Sequence, residues 1–183
     1  MSRIPIPAAI EDAPAAARPL LDAVEQQLGS APNLFRLVAI NPAALEGYLA
    51  LNGALGKGAL PLKTRERIAV AMAEFNGCGY CLSAHSYLAR NRAKLDDAEI
   101  AANRDGSSGD AKAAAAVRFA LEVARRRGHV GDDALAAVRA AGYDDAQIIE
   151  IVLHVALNTW TNYLNEVAKT DIDFPVVRPH QAA

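Results

Sequence analysis

Apolar residues in this chain recur every three to four positions, and nowhere in a convincing alternation of two. A period near 3.6 gathers side chains on one face of a helix, whereas a period of two would gather them on one face of a strand. The chain is therefore expected to be all-α. Its punctuation fits that reading. A short helix is expected from about Pro19 to Leu28, stopped by Gly29, and another over "NLFRLVAI" with Asn33 as its cap. Asn41 should cap a third helix, with Pro42 in its first turn and Leu45, Tyr48, Leu49 and Leu55 on its buried face. Gly53, Gly56, Gly58 and Pro61 should break the chain, and a new helix should start at Thr64, with Ile68, Met72 and Phe75 on one side. Further helices are expected after Asp96 or Asp97, from Asp110 to Arg127 with Gly128 closing it, over "DDALAAVRAAG", and from about Asp144 to Ala168. That makes a single bundle of about eight helices.

The 183 residues fit one domain with a core large enough to need no disulfide staples. Hydrophobic residues make up 52% but aromatics only 5%, so alanine and leucine dominate, and these are the strongest helix formers. Residues 1–17 are rich in proline and alanine and are expected to be loosely ordered, with the helical domain over 18–175 and a tail over 176–183. The formal net charge of -2 offers no basic face for nucleic acid or an anionic membrane. The N-terminal sequence has no signal-peptide core, and no segment approaches the roughly 18 apolar residues that span a bilayer. A cytoplasmic protein is expected, in a compartment where ordinary thiols stay reduced.

The chemistry concentrates in "EFNGCGYCLSAHSYLAR", Glu74 to Arg90, which holds both cysteines of the chain. Asn76-Gly77 reads as a turn, which puts Cys78 at the start of a new helix, where unpaired backbone N–H groups favour a thiolate. Cys78 and Cys81 are three apart on one face, within disulfide reach if their rotamers permit. His85 follows Cys81 at i+4 and can exchange a proton with it. Two acids compete to partner the histidine. Glu74 is nearer in sequence. If Asn76-Gly77 joins two antiparallel helices, however, Glu66 lies about ten residues before the turn and His85 about eight after it, nearly level at ~1.5 Å per residue.

Glu66, eleven residues, then "CGYCLSAH" resembles the alkyl hydroperoxidase D group of the carboxymuconolactone decarboxylase superfamily. The flanking stretches "APNLFRLVAINPAALEGYLALNGAL" and "LNTWTNYLNEVAKTDIDFP" resemble its peroxidase-related branch, and the likeness spans about residues 31–175. The resemblance implies a helical domain that assembles into homotrimers or hexamers. It implies Cys81 as the peroxidatic cysteine, Cys78 as the one that resolves it to a disulfide, and Glu66 and His85 as the proton relay. A hydroperoxide would be the substrate and a dithiol, lipoylated or thioredoxin-like partner the reductant, with no cofactor. The family's prototype carries a histidine immediately before its second cysteine; Tyr80 stands there in this chain.

Other readings of the same residues stay open. The thiols could oxidise once, as a redox sensor or scaffold, without turnover. Cys78, Cys81 and His85 could bind zinc, although a structural site wants four ligands and only His154 could complete it. Within its apolar run His154 is otherwise expected to be a core histidine bonded to backbone. Glu74 is expected to be a surface charge or a second acid near the thiols, and Tyr80 to shield Cys81 or simply pack. Trp160 with Asn158, Asn162 and Asn165 reads as a polar and aromatic face suited to an interface. "GALGKG" lacks the spacing of a phosphate-binding loop.

Overall fold

The computed structural model describes residues 2–180; the ends of the expected N-terminal segment and tail, residue 1 and residues 181–183, lie outside the described residues. The described residues form nine α-helices and no strand: α1 (Arg18–Leu28), α2 (Asn33–Val38), α3 (Pro42–Gly56), α4 (Leu62–Phe75), α5 (Gly79–Asn91), α6 (Asp97–Arg104), α7 (Ala111–Arg125), α8 (Asp132–Ala140) and α9 (Asp145–Ala168). The all-α single-domain fold expected from periodicity is the observed one. No described helix is long and apolar enough to cross a membrane.

Several boundaries differ from expectation for local reasons. Asn33 is the first residue of α2 rather than its cap, and its amide donates instead to the Asp171 carbonyl at 2.8 Å. Helix α3 runs through Gly53 and Gly56, because its buried Leu45 and Leu55 hold it against the core. Helix α4 starts at Leu62, directly behind Pro61, so that Thr64 is already inside it. Helix α7 ends at Arg125, and Arg127, ahead of Gly128, takes the first left-handed position at φ 53°.

Helix α4 is the hub. Its alanines at 69, 71 and 73 are buried and let α5, α6, α7 and α9 approach closely. Val70 and Ala73 enter a cluster with Leu21, Leu45, Cys78, Cys81 and Leu82, while Ile68 and Met72 enter a second with Phe119, Val138, Ile151 and Val155. Each fully buried Leu, Ile or Met contributes roughly 1.5–3 kcal/mol of burial. The thiols therefore sit inside one core cluster rather than on its edge.

The chain ends close over this region. Arg3 N–H donates to the Ala168 carbonyl at 2.6 Å, and Ala13 and Ala17 are buried in the first cluster. Residues 171–179 run back across α5: Ser83 Oγ accepts from Val177 N–H at 2.9 Å, and the Phe174 ring meets Tyr80 edge-on at 5.9 Å.

Candidate active site

The turn that delivers the cysteines is a helix terminator of defined geometry. Gly77 N–H donates to Glu74 O at 3.0 Å and Cys78 N–H to Ala73 O at 2.9 Å, the paired bonds of a Schellman ending. Such an ending needs a left-handed residue, and Gly77 supplies it at φ 67°. The next residue, Cys78, is already the cap of α5, its sulfur accepting from Cys81 N–H at 3.3 Å. Both cysteines are buried free thiols.

The two sulfurs do not share charge evenly. Cap position had favoured a thiolate on Cys78, but the anion belongs to Cys81. Burial opposes ionisation of Cys81, yet its hydrogen bond with Cys78, the nearby His85 and the amides of Asn162 and Asn165 together bring its pKa down to about 7. Cys78 is pushed far up, first by that same bond with Cys81 and then by burial. One thiolate thus resides on Cys81, with Cys78 as its protonated partner.

Glu66 reaches His85: its Oε2 accepts from the Nδ1 side of the ring at 2.9 Å, across the α4–α5 hairpin. Burial works against the imidazolium, but the Glu66 carboxylate, through charge and hydrogen bond, and then the Cys81 charge, leave the His85 pKa raised. With Nδ1–H held by Glu66, Nε2 is the nitrogen left for proton exchange at the sulfur. Glu74 does not join this group. Eight residues on, it is rotated about 80° around α4. Its carboxylate binds Arg104 Nε at 2.6 Å and the His180 N–H at 2.6 Å, tying α6 and the tail to the hub.

Tyr80 also faces away from the relay. Its hydroxyl accepts from Leu34 N–H at 3.0 Å, so it braces α2 rather than standing in for an imidazole. His154 is buried, but no backbone group among the described residues holds its side chain; its Nε2 lacks a hydrogen-bond partner there and lies 3.8 Å from Glu150 Oε1. Burial first, then the Arg65 charge, lower its pKa to about 4 and keep it neutral. No three His, Cys, Asp or Glu side chains among the described residues are grouped to hold a metal ion.

Sequence reasoning misplaced the asparagines of α9. Asn158, Asn162 and Asn165 are buried and point inward, while Trp160 is the member left 39% exposed. Asn165 Nδ2 donates to Cys81 Sγ at 3.2 Å. Asn162 Oδ1 accepts from Asn76 Nδ2 at 2.8 Å, joining α9 to the hairpin turn. Their spacing of three and four was the available signal, since it aligns them on one helical face. Tyr48, expected only on the buried face of α3, also stands near the thiol: its ring packs between Phe35 and Trp160, at 5.5 and 5.4 Å. Burial, then the charges of Cys81 and Glu66, raise its hydroxyl pKa, which keeps it neutral beside the thiol.

Residues 42–126 match the carboxymuconolactone decarboxylase family. No curated protein matches the chain. Among solved structures, an uncharacterised peroxidase-related protein with the alkylhydroperoxidase AhpD core, from Ralstonia eutropha JMP134, superposes with a TM-score of 0.83 at 27% identity, covering 94% of this chain and 92% of its own. A peroxidase-related protein from Silicibacter sp. TM1040 shares the fold with a TM-score of 0.81 at 23% identity, over 93% of this chain and 91% of its own. The debrominase Bmp8 shares it too, with a TM-score of 0.76 at 23% identity, over 92% and 91%.

Proposed function

The chain belongs to the AhpD-like branch of the carboxymuconolactone decarboxylase superfamily, and from that premise we propose that it is a thiol-dependent hydroperoxidase working through Cys81, Cys78, His85 and Glu66. The observation that carries this reading is the geometry at the thiols: Cys81 Sγ accepts from Asn165 Nδ2 at 3.2 Å, Cys78 Sγ accepts from Cys81 N–H at 3.3 Å and Glu66 holds His85 at 2.9 Å, an arrangement that lowers Cys81 to about 7 and raises Cys78. A nucleophile needs the anion at working pH, and a resolving thiol should hold its proton until a sulfenic acid exists.

The steps follow from those states. Cys81 thiolate attacks the distal peroxide oxygen; an S–O bond forms and the O–O bond breaks. Sulfur loses two electrons, and the pair leaves on the alkoxide or hydroxide. His85 imidazolium supplies its proton, and Glu66 stabilises the charge on the ring until then. Cys78 then attacks Cys81 Sγ, forming the disulfide and expelling the sulfenic oxygen as water with the Cys78 proton. An external dithiol, lipoylated or thioredoxin-like, returns two electrons and two protons.

Two free buried thiols suit a reducing, cytoplasmic setting. The exposed apolar face of α9, including Ile149, Val152, Tyr163 and Val167, supports self-association into a trimer or hexamer. Peroxide turnover with dihydrolipoamide or thioredoxin tests the function. Cys81→Ser should abolish it, and Cys78→Ser should leave a sulfenic acid that a dimedone probe traps. Wild-type rates in Cys81→Ser sink the proposal, and one stoichiometric burst without turnover replaces it with a redox sensor.

A further inference from the structure

One buried amide beside the thiol has a nitrogen with nothing to bind. Asn162 is fully buried on α9. Its Oδ1 is occupied by Asn76 Nδ2 at 2.8 Å, which ties one end of the amide and leaves its NH₂ as the free end. That Nδ2 has no hydrogen-bond partner among the described residues. Buried side-chain donors are rarely left so. Asn165, one turn further along the same face, spends its own Nδ2 on Cys81 Sγ at 3.2 Å and Thr161 O at 2.9 Å. Asn162 lies close enough to Cys81 to favour its thiolate, but makes no bond of good geometry with the sulfur. The donor therefore sits at the sulfur, oriented and unspent.

We propose that Asn162 Nδ2–H is the donor for the oxygen that passes from the hydroperoxide to Cys81, in the transfer itself and in the sulfenic acid that results. The inference rests on the hydroperoxidase reading and names a residue that reading does not use. As the Cys81 thiolate displaces alkoxide from the distal oxygen, negative charge spreads over sulfur and both oxygens. The proximal oxygen takes its proton from His85. The distal oxygen keeps its own hydrogen and has lone pairs to offer a donor. When Cys78 later expels that oxygen, it leaves as hydroxide before the Cys78 proton converts it to water, and charge develops there a second time. A fixed, buried amide stabilises both moments without reorganising. Asn165 cannot serve, because its nitrogen is committed to sulfur and backbone.

The test compares two reactions of Cys81 in the full chain, by stopped flow on both sides of neutral pH. Hydrogen peroxide requires oxygen transfer; iodoacetamide requires only the thiolate. Asn162→Leu should lower the peroxide rate constant per thiolate on the order of 10²-fold while the alkylation plateau holds. Asn165→Leu should move both rates together, through the thiolate fraction. Equal losses in Asn162→Leu overturn the inference and leave the peroxidase reading standing. If the wild type alkylates at Cys81 yet ignores peroxide, both fall. Should the leucine variant fail to fold, Asn76→Ala decides: it keeps Asn162 but unlocks its amide, and the peroxide-to-alkylation ratio must drop several-fold. An unchanged ratio overturns the inference.

Discussion

Asn165 donates its side-chain N–H to Cys81 Sγ at 3.2 Å, across 84 residues of sequence. The bond binds the last long helix to the first turn of α5 and is one of the interactions that bring the Cys81 pKa to about 7. A hydrogen bond to a charged group contributes roughly 1.5–3 kcal/mol, and one pKa unit corresponds to about 1.4 kcal/mol. Asn165→Leu should therefore raise the midpoint of the Cys81 alkylation profile by about one to two units and slow alkylation at neutral pH. An unmoved midpoint would show that the amide is not stabilising the anion.

The Glu66–His85 pair sets a second pH dependence. Because Cys81 titrates near 7, its alkylation rate should rise through that pH and fall about tenfold per unit below it. Glu66→Gln removes the charge that does most to keep His85 protonated, and burial is then opposed by the Cys81 charge without the carboxylate, so the histidine pKa should fall. The thiolate loses its neighbouring cation, so its midpoint should climb, and peroxide turnover should drop by roughly 10²-fold or more. Stability follows the opposite sign to the thiol. A raised folded pKa on His85 stabilises fully below 6.5 and is lost as pH rises through the folded value. Urea unfolding of Glu66→Gln should accordingly differ from wild type at acidic pH and converge with it at alkaline pH.

The helices, the hairpin turn and the Glu66–His85 contact were legible because each depends on short-range spacing or on level positions across one turn. Boundaries were not. Gly53 and Gly56 read as breakers, yet the buried side chains around them hold α3 helical. The charge distribution between Cys78 and Cys81 was not legible from the residues either, since it depends first on the bond between the two sulfurs and the His85 charge, and then on amides delivered from α9 by tertiary packing. Asn162 and Asn165 carried a visible period, but periodicity alone cannot tell a face turned inward to a thiol from one turned outward to a partner. Trp160, midway between Asn158 and Asn162, suggested the wrong side.

Tyr80 separates support from relay. Its hydroxyl accepts the buried Leu34 N–H at 3.0 Å, so Tyr80→Phe strands that donor. Urea unfolding should show a loss of about 1–3 kcal/mol. The Cys81 alkylation midpoint should stay near 7. A midpoint that shifts with stability unchanged would assign Tyr80 to the proton relay instead.

Gly77 tests whether the thiol geometry is imposed by the backbone. At φ 67° it closes α4, and its neighbour Cys78 caps α5 at once, with no residue between them to absorb a distortion. A Cβ at a left-handed position costs roughly 1–2 kcal/mol, so Gly77→Ala should destabilise by about that amount in denaturant unfolding. The further consequence is chemical. If the turn relaxes to relieve the strain, the Cys78 Sγ to Cys81 N–H bond of 3.3 Å loosens, and with it the thiol–thiolate bond that favours charge on Cys81. The alkylation midpoint should then rise in the same variant. Gly77→Asn, a side chain that tolerates left-handed backbone better than alanine, should recover part of both losses. Destabilisation without any shift in the midpoint would mean that the packing of α5 against α4 and α9, rather than the turn, fixes the cysteine pair.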